Sequence, residues 1–153
     1  MISSLHDIQW QCYPWENLST TLLYAILSLR QEVFVVEQNC PYLDTDGKDT
    51  SAVHLVGMHG EYICCYARIF PPNEEGHIVI GRVIVAPRYR SLGYGYALMN
   101  KAHEYALTRF SPHKTIAISA QAHLKRFYEH VGYQQSGEGY LEDDIPHIPM
   151  IRL

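Results

Sequence analysis

In the stretch 19–35 the apolar residues Leu22, Ile26, Leu29 and Val33 recur at i, i+4, i+7 and i+11, which predicts one buried face of an amphipathic helix. The polar stretch that follows, with Pro41, Asp44, Asp46, Gly47 and Asp49, predicts a loop. Residues 53–58 and 62–70 flank the turn-like pair His59-Gly60 and predict two neighbouring antiparallel strands. After a turn over 71–76, residues 78–85 are almost continuously branched-aliphatic, the composition of a strand buried on both faces. A glycine-bearing turn over 88–95 leads into a helix over about 94–110, with Leu98, Ala102, Tyr105 and Ala106 on one side. A strand over 115–120, a helix over 122–131 stopped by Gly132, and strands near 133–139 and 147–153 complete the order. Strands, then strand-helix-strand-helix, then strands predict a single mixed α/β layer with no repeat.

Composition narrows the class. With 153 residues, 47% apolar and 18% charged, the chain has room for one globular domain and does not match a disordered, collagen-like or coiled-coil sequence. Twelve Lys plus Arg against 16 Asp plus Glu leave a formal charge of -4, and no basic run could track a phosphate backbone, so nucleic acid is not an expected partner. Residues 1–10 have neither the basic nor the apolar region of a leader, and no apolar stretch reaches the ~18 residues needed to span a bilayer. The expectation is a cytoplasmic chain with no membrane partner, acting as a monomer or homodimer. Cys12, Cys40, Cys64 and Cys65 lack a metal or disulfide spacing and are expected as free thiols, and no His, Cys or acid spacing predicts a metal.

The turn over 88–95 carries the chemistry. Small residues at Ser91, Gly93 and Gly95 let backbone N–H groups approach a ligand where a helix begins, so donors and the positive end of the helix dipole converge into an anion cradle. A Walker loop would end in Gly-Lys-Ser/Thr, and a dinucleotide fingerprint would need a glycine at Leu98 and an acid about twenty positions on. Neither is present. An ordinary strand-to-helix turn is the plain alternative.

Arg90-x-x-Gly93-x-Gly95 resembles the pyrophosphate loop of the GNAT N-acetyltransferase superfamily, and Phe127-Tyr128-Glu129-His130-Val131-Gly132-Tyr133 resembles a second motif of that family. Further segments resemble the ElaA-like subgroup: Leu29 to Tyr42, Asp44, Asp46-Gly47, Ala67-Arg68-Ile69, Ile80 to Val83, Ala120 to Leu124 and Glu142 to Ile148. The chain departs at Ser91, where many GNAT proteins carry Gly, and at Asp144, where the subgroup commonly has Gly. The resemblance implies a central mixed twisted sheet of about six to seven strands flanked by about four helices and splayed at an acetyl-CoA site. It implies acetyl-CoA as cosubstrate and a small-molecule or peptide amine as acceptor. The pantetheine arm would pair with backbone around Val83, Ile84 and Val85, and the pyrophosphate would take N–H groups of Arg90, Ser91, Leu92, Gly93, Tyr94 and Gly95.

Acyl transfer to an amine must remove an ammonium proton and supply a donor to the departing thiolate. Tyr128 matches the family's general acid; a core tyrosine is the alternative. The charged residue of the central strand is Arg82, which cannot serve as a base. Glu37 and His147 are the candidate bases, unless Glu37 neutralises Arg82 or Arg30 and His147 caps the turn at Pro146. Arg30 and Phe34 stand one turn apart and would line an acceptor pocket; Arg82 and Gln121 are placed with them as acceptor-binding residues. The acids at 44, 46, 49 and 142–144 either attract a cationic amine or are solvated loop charges. Two other functions remain open: a non-catalytic acyl-CoA sensor and an acyltransferase like the GNAT-related acyl-homoserine-lactone synthases.

Overall fold

The computed structural model describes residues 7–110, 112 and 115–153. The leading segment read for a leader lies largely outside the described residues, but its end forms an unexpected strand. β1 (Gln9–Pro14) pairs antiparallel with β2 (Val53–His59), Trp10 opposite Gly57 and Cys12 opposite Leu55. The signal was a short alternation, Trp10 and Cys12 inward against Gln9 and Gln11 outward, which suits a half-buried edge strand. β3 (Tyr62–Phe70) and β4 (His77–Val85) continue the antiparallel ladder.

The helix expected over 19–35 divides in two. Ser19 caps α1 (Thr20–Arg30), its side chain accepting from the Leu22 N–H at 3.0 Å. From Gln31 to Glu37 the backbone widens into a π-helical segment, which the Gln38 N–H to Val33 C=O and Cys40 N–H to Val35 C=O bonds extend. The β-branched run Val33, Val35 and Val36 weakens the α-helical alternative there. α2 (Tyr94–Arg109) buries Leu98, Met99, Ala102 and Ala106, and crosses from β4 to the parallel strand β5 (Thr115–Gln121). The next expected helix starts as a single 3-10 turn and becomes α3 (Lys125–His130). The expected strand over 133–139 shrinks to β6 (Gln134–Gln135), while β7 (Tyr140–Glu142) and β8 (Ile145–Arg152) form a hairpin. Its turn residues Asp143 (φ 51) and Asp144 (φ 63) both adopt positive φ, the two-residue turn that suits strand twist and that Asp tolerates.

Among the described residues eight strands form one open mixed sheet, ordered β1-β2-β3-β4-β5-β8-β6 with β7 on β8. Three α-helices flank it among the described residues, with the π segment standing where part of a longer first helix was expected. None of the described helices is long and apolar enough to cross a membrane.

β4 and β5 pair only at His77–Thr115, Ile78–Ile116 and Val79–Ala117. Beyond that, β4 keeps β3 through Val85 and β5 keeps β8 through Gln121, so the two strands part company. The cause is a β-bulge: between the pairs Arg68–Gly81 and Tyr66–Ile84, the single Ala67 faces Arg82 and Val83, with Arg82 at φ 49. A bulge adds local twist and turns the strand aside.

Candidate active site

At the parted end, the Ala86 N–H donates to the Cys64 C=O at 2.8 Å. Alternation along β4 then directs the Ile84 polar groups to β3 and those of Val85 into the opening. This corrects the expectation for Ile84, whose backbone is committed to the sheet; Val83 sits in the bulge. A 3-10 turn (Pro87–Tyr89) leads to Ser91 (φ 66) and Gly93 (φ 85), both left-handed. Gly93 caps α2 with no side-chain acceptor, and the Ala97 N–H to Gly93 C=O bond closes the first turn. Those left-handed residues and the uncapped helix start give the loop its anion-binding geometry. Leu92 is exposed and Tyr94 buried. Gly95 serves packing: a Cβ there would lie 3.1 Å from Phe127, with Val85 at 3.8 Å, so α2, α3 and β4 approach one another only through a glycine.

Arg90 is exposed but tethered. Its Nε–H donates to the Val85 C=O at 2.9 Å, and its two terminal nitrogens donate to the Glu37 carboxylate at 2.5 and 2.8 Å. The guanidinium holds the Glu37 carboxyl below the usual carboxylate range. Glu37 thus pairs with Arg90 rather than with Arg82 or Arg30, and the hydrogen bonds of a charge-paired carboxylate lower its basicity. This argues against Glu37 as the base.

Tyr128 is buried on α3, edge-on to Tyr133 and Phe127 with centroids 5.8 and 5.0 Å away. Burial pushes its phenol up to about 12. Its hydroxyl makes no hydrogen bond to a described residue. Tyr133 differs, with its hydroxyl 2.9 Å from His103 Nε2.

On the other side of β5, Gln121 stands opposite His147, and its Nε2–H donates to Gln38 Oε1 at 3.2 Å. The His147 Nδ1–H donates to the Ile145 C=O at 2.7 Å; because a carbonyl only accepts, the neutral ring carries its lone pair on Nε2. Nε2 makes no hydrogen bond among the described residues and faces Glu142 Oε2 at 3.6 Å. Tyr140 stacks on the imidazole, 6.2 Å between centroids at 19°, and its hydroxyl meets Ser119 Oγ. Cys40 Sγ–H donates to the Asp143 C=O, and the Tyr42 hydroxyl donates to Asp144. Tyr140, Ser119 and Gln38 escaped the sequence reading. Tyr140 was signalled only by the short Tyr140-Leu141-Glu142 alternation before a turn, and Gln38 only by lying within the segment Leu29 to Tyr42.

Arg30 is the clearest correction. Its side chain has no accessible surface: Nε–H donates to Asp44 and Nη1–H to Asp49, both at 2.7 Å. Arg68 joins Asp46 and Asp49, and Arg82 joins Asp44 at 2.8 Å and lies 5.8 Å over the Phe34 ring. Three arginines from α1, β3 and β4 therefore neutralise three loop aspartates. Arg30 meets no acceptor, and Asp44 and Asp49 are buried rather than solvated or open to an amine. Arg82 and Phe34 keep partial exposure.

A strand parted by a bulge, over a glycine-led uncapped helix, is the geometry expected of the fold family. The model of the acetyltransferase (GNAT) domain matches residues 32–153. The chain belongs to the GNAT acetyltransferase family. It is 44% identical over 148 residues to protein ElaA of Escherichia coli K12, covering 95% of this chain and 96% of that one. The crystal structure of Escherichia coli ElaA superposes with a TM-score of 0.87, over 95% of this chain and 99% of that chain at 43% identity. An acyl-CoA N-acyltransferase from Pseudomonas aeruginosa gives 0.88 at 40% identity, covering 95% and 99%. An aminoglycoside 6'-N-acetyltransferase complexed with coenzyme A shares the fold at 14% identity and a TM-score of 0.70, over 93% of this chain and 96% of that one. As a GNAT protein the chain is an acyltransferase.

Proposed function

We propose that this GNAT protein is an acetyl-CoA-dependent N-acetyltransferase in which a bound primary amine attacks directly, with His147 as base and Tyr128 as donor to the leaving group. The parting of β4 from β5 above the cradle carries this reading. The residues fit the cosubstrate: beyond Val79 the edge of β4 that faces β5 has no strand partner and suits an amide-bearing arm, although Arg90 holds the Val85 C=O, and left-handed Ser91 and Gly93 suit a pyrophosphate. Because the Arg90 side chain is shared between Glu37 and Val85, the cradle would contact phosphate mainly through backbone N–H groups. When bound, acetyl-CoA supplies the acetyl thioester.

The chain's own groups supply proton handling. His147 Nε2 has the free lone pair to take the ammonium proton, leaving the nitrogen pair to form the C–N bond while the C–S bond breaks toward sulfur. The Tyr128 hydroxyl stays protonated throughout the working pH range, because burial holds it near 12. A CoA thiol resembles Cys at ~8.5, so complete proton transfer from this phenol is uphill, and Tyr128 acts as a hydrogen-bond donor to the developing thiolate.

The test is amine-dependent thiol release from acetyl-CoA with a panel of polyamines, amino acids and peptides. Transfer to at least one amine supports the reading. Tight acetyl-CoA binding with no transfer to any of them would overturn it in favour of a non-catalytic sensor.

A further inference from the structure

The charges around the acceptor side do not balance. The arginines it contributes already have carboxylate partners, Arg82 with Asp44 and Arg90 with Glu37. Glu142, on the β7–β8 hairpin, has no Lys or Arg partner among the described residues and is 48% exposed along its side chain. It faces the His147 ring, whose side chain is only 8% exposed and whose Nε2 lacks a hydrogen bond. Tyr140 clamps one ring face and Ile145 fixes Nδ1, so the orientation of Nε2 is set.

We infer that Glu142 is the acceptor's counter-ion: it receives the amine as an ammonium beside His147 and keeps the charge paired once the proton has moved, so that the acceptor class is a cationic alkylamine without a neighbouring carboxylate. This rests on His147 as the base. The separation of 3.6 Å allows a single ammonium nitrogen to lie within hydrogen-bond length of both Glu142 Oε2 and His147 Nε2. When the proton passes, the N–H bond of the ammonium breaks with its electron pair remaining on nitrogen, and the Nε2 lone pair forms the new N–H bond. The positive charge moves from amine to imidazole without leaving Glu142, so the transfer separates no charge. A carboxylate on the acceptor would meet Glu142, with Asp143 and Asp144 in the adjoining turn, as like charges. The hairpin thus selects by charge while Tyr140 and Ile145 hold the base in place.

The test uses the full chain at saturating acetyl-CoA with butylamine and 4-aminobutyrate as matched acceptors. Wild type is expected to favour butylamine at least about tenfold in kcat/KM. Glu142→Gln should raise KM for butylamine about tenfold or more, narrow that preference and leave acetyl-CoA affinity and Tm unchanged, with Glu142→Asp restoring part of the loss. In a cycle with His147→Gln, the two losses should be strongly non-additive. Equal use of both acceptors by wild type, detectable transfer to neither, or wild-type kinetics in Glu142→Gln overturns the inference. If His147→Gln loses turnover while Glu142→Gln does not, the role of Glu142 fails and the base stands; if His147→Gln keeps turnover, the base itself fails.

Discussion

Two groups of charge lie toward one end of the sheet and behave oppositely. In the first, Arg30, Arg68 and Arg82 tie Asp44, Asp46 and Asp49 into a closed network that joins α1, β3 and β4 to the loop after the π segment. In the second, Glu142 lies 3.6 Å from the open Nε2 of His147 and has no Lys or Arg partner among the described residues. The histidines show the same difference. The sealed His54 uses both nitrogens, Nε2–H donating to the Asp49 C=O and Nδ1 accepting from the Tyr66 hydroxyl at 2.6 Å. His147 uses one and leaves the other open. Charges that satisfy one another hold the loop and the bulge in place; charges left unsatisfied are available for chemistry. The closed group should therefore respond in stability and the open group in rate.

Arg30→Met should give the largest effect. It takes one of two arginine partners from each of the buried carboxylates Asp44 and Asp49, leaving Arg82 and Arg68, and the expected loss is about 3 kcal/mol by denaturant unfolding. A loss below ~1 kcal/mol would mean the network is not the clamp described here. Next comes Tyr128→Phe, expected to lower kcat about 10²-fold with acetyl-CoA affinity and stability little changed. Equal acetylation rates across pH 6 to 9, the range over which the two proteins would be compared, would remove Tyr128 from the reaction.

Acid should strike the closed group in two stages. Burial holds folded His54 below its ordinary value, so from ~6.5 down to that lowered value the unfolded chain binds more protons and stability falls as pH is lowered. Asp46 and Asp49 are held below the usual carboxylate range by arginine hydrogen bonds, so their contribution is complete above ~4 and is lost as pH drops further. Unfolding free energy measured against pH should show both slopes, and Asp46→Asn should flatten the lower one.

Smaller effects separate paired from free carboxylates. Glu37→Gln removes an exposed ion pair and should cost under ~1 kcal/mol, with kcat nearly intact. A 10²-fold loss of kcat would instead return Glu37 to the catalytic role. Asp144→Gly should be close to neutral by Tm. Relief of the left-handed strain and loss of the Tyr42 hydrogen bond are each worth about 1 kcal/mol and oppose one another.

Much of this was legible along the chain. The buried β4 strand, the small residues at 91, 93 and 95 and the Phe127-Tyr128 segment each announce themselves locally, because backbone conformation and helix periodicity are local properties. The closed network did not, since Arg30 meets Asp44 and Asp49 only across a loop, and nothing in a run of spaced aspartates distinguishes a solvated turn from a buried ion pair. The π segment was hidden for a different reason: Leu29 and Val33 keep helical spacing, and the widening appears only in the hydrogen bonds. The motif names the position of Arg90 and not the direction of its side chain, so its bonds to Glu37 and the Val85 C=O appear only in the fold.

The central claim, that the open histidine takes the acceptor proton beside a parted β4 edge, is tested most directly by acetyl-CoA-dependent acetylation of a simple alkylamine by wild type and His147→Gln. The account predicts a kcat loss of about 10²-fold or more with acetyl-CoA affinity unchanged. Wild-type turnover in His147→Gln would contradict it.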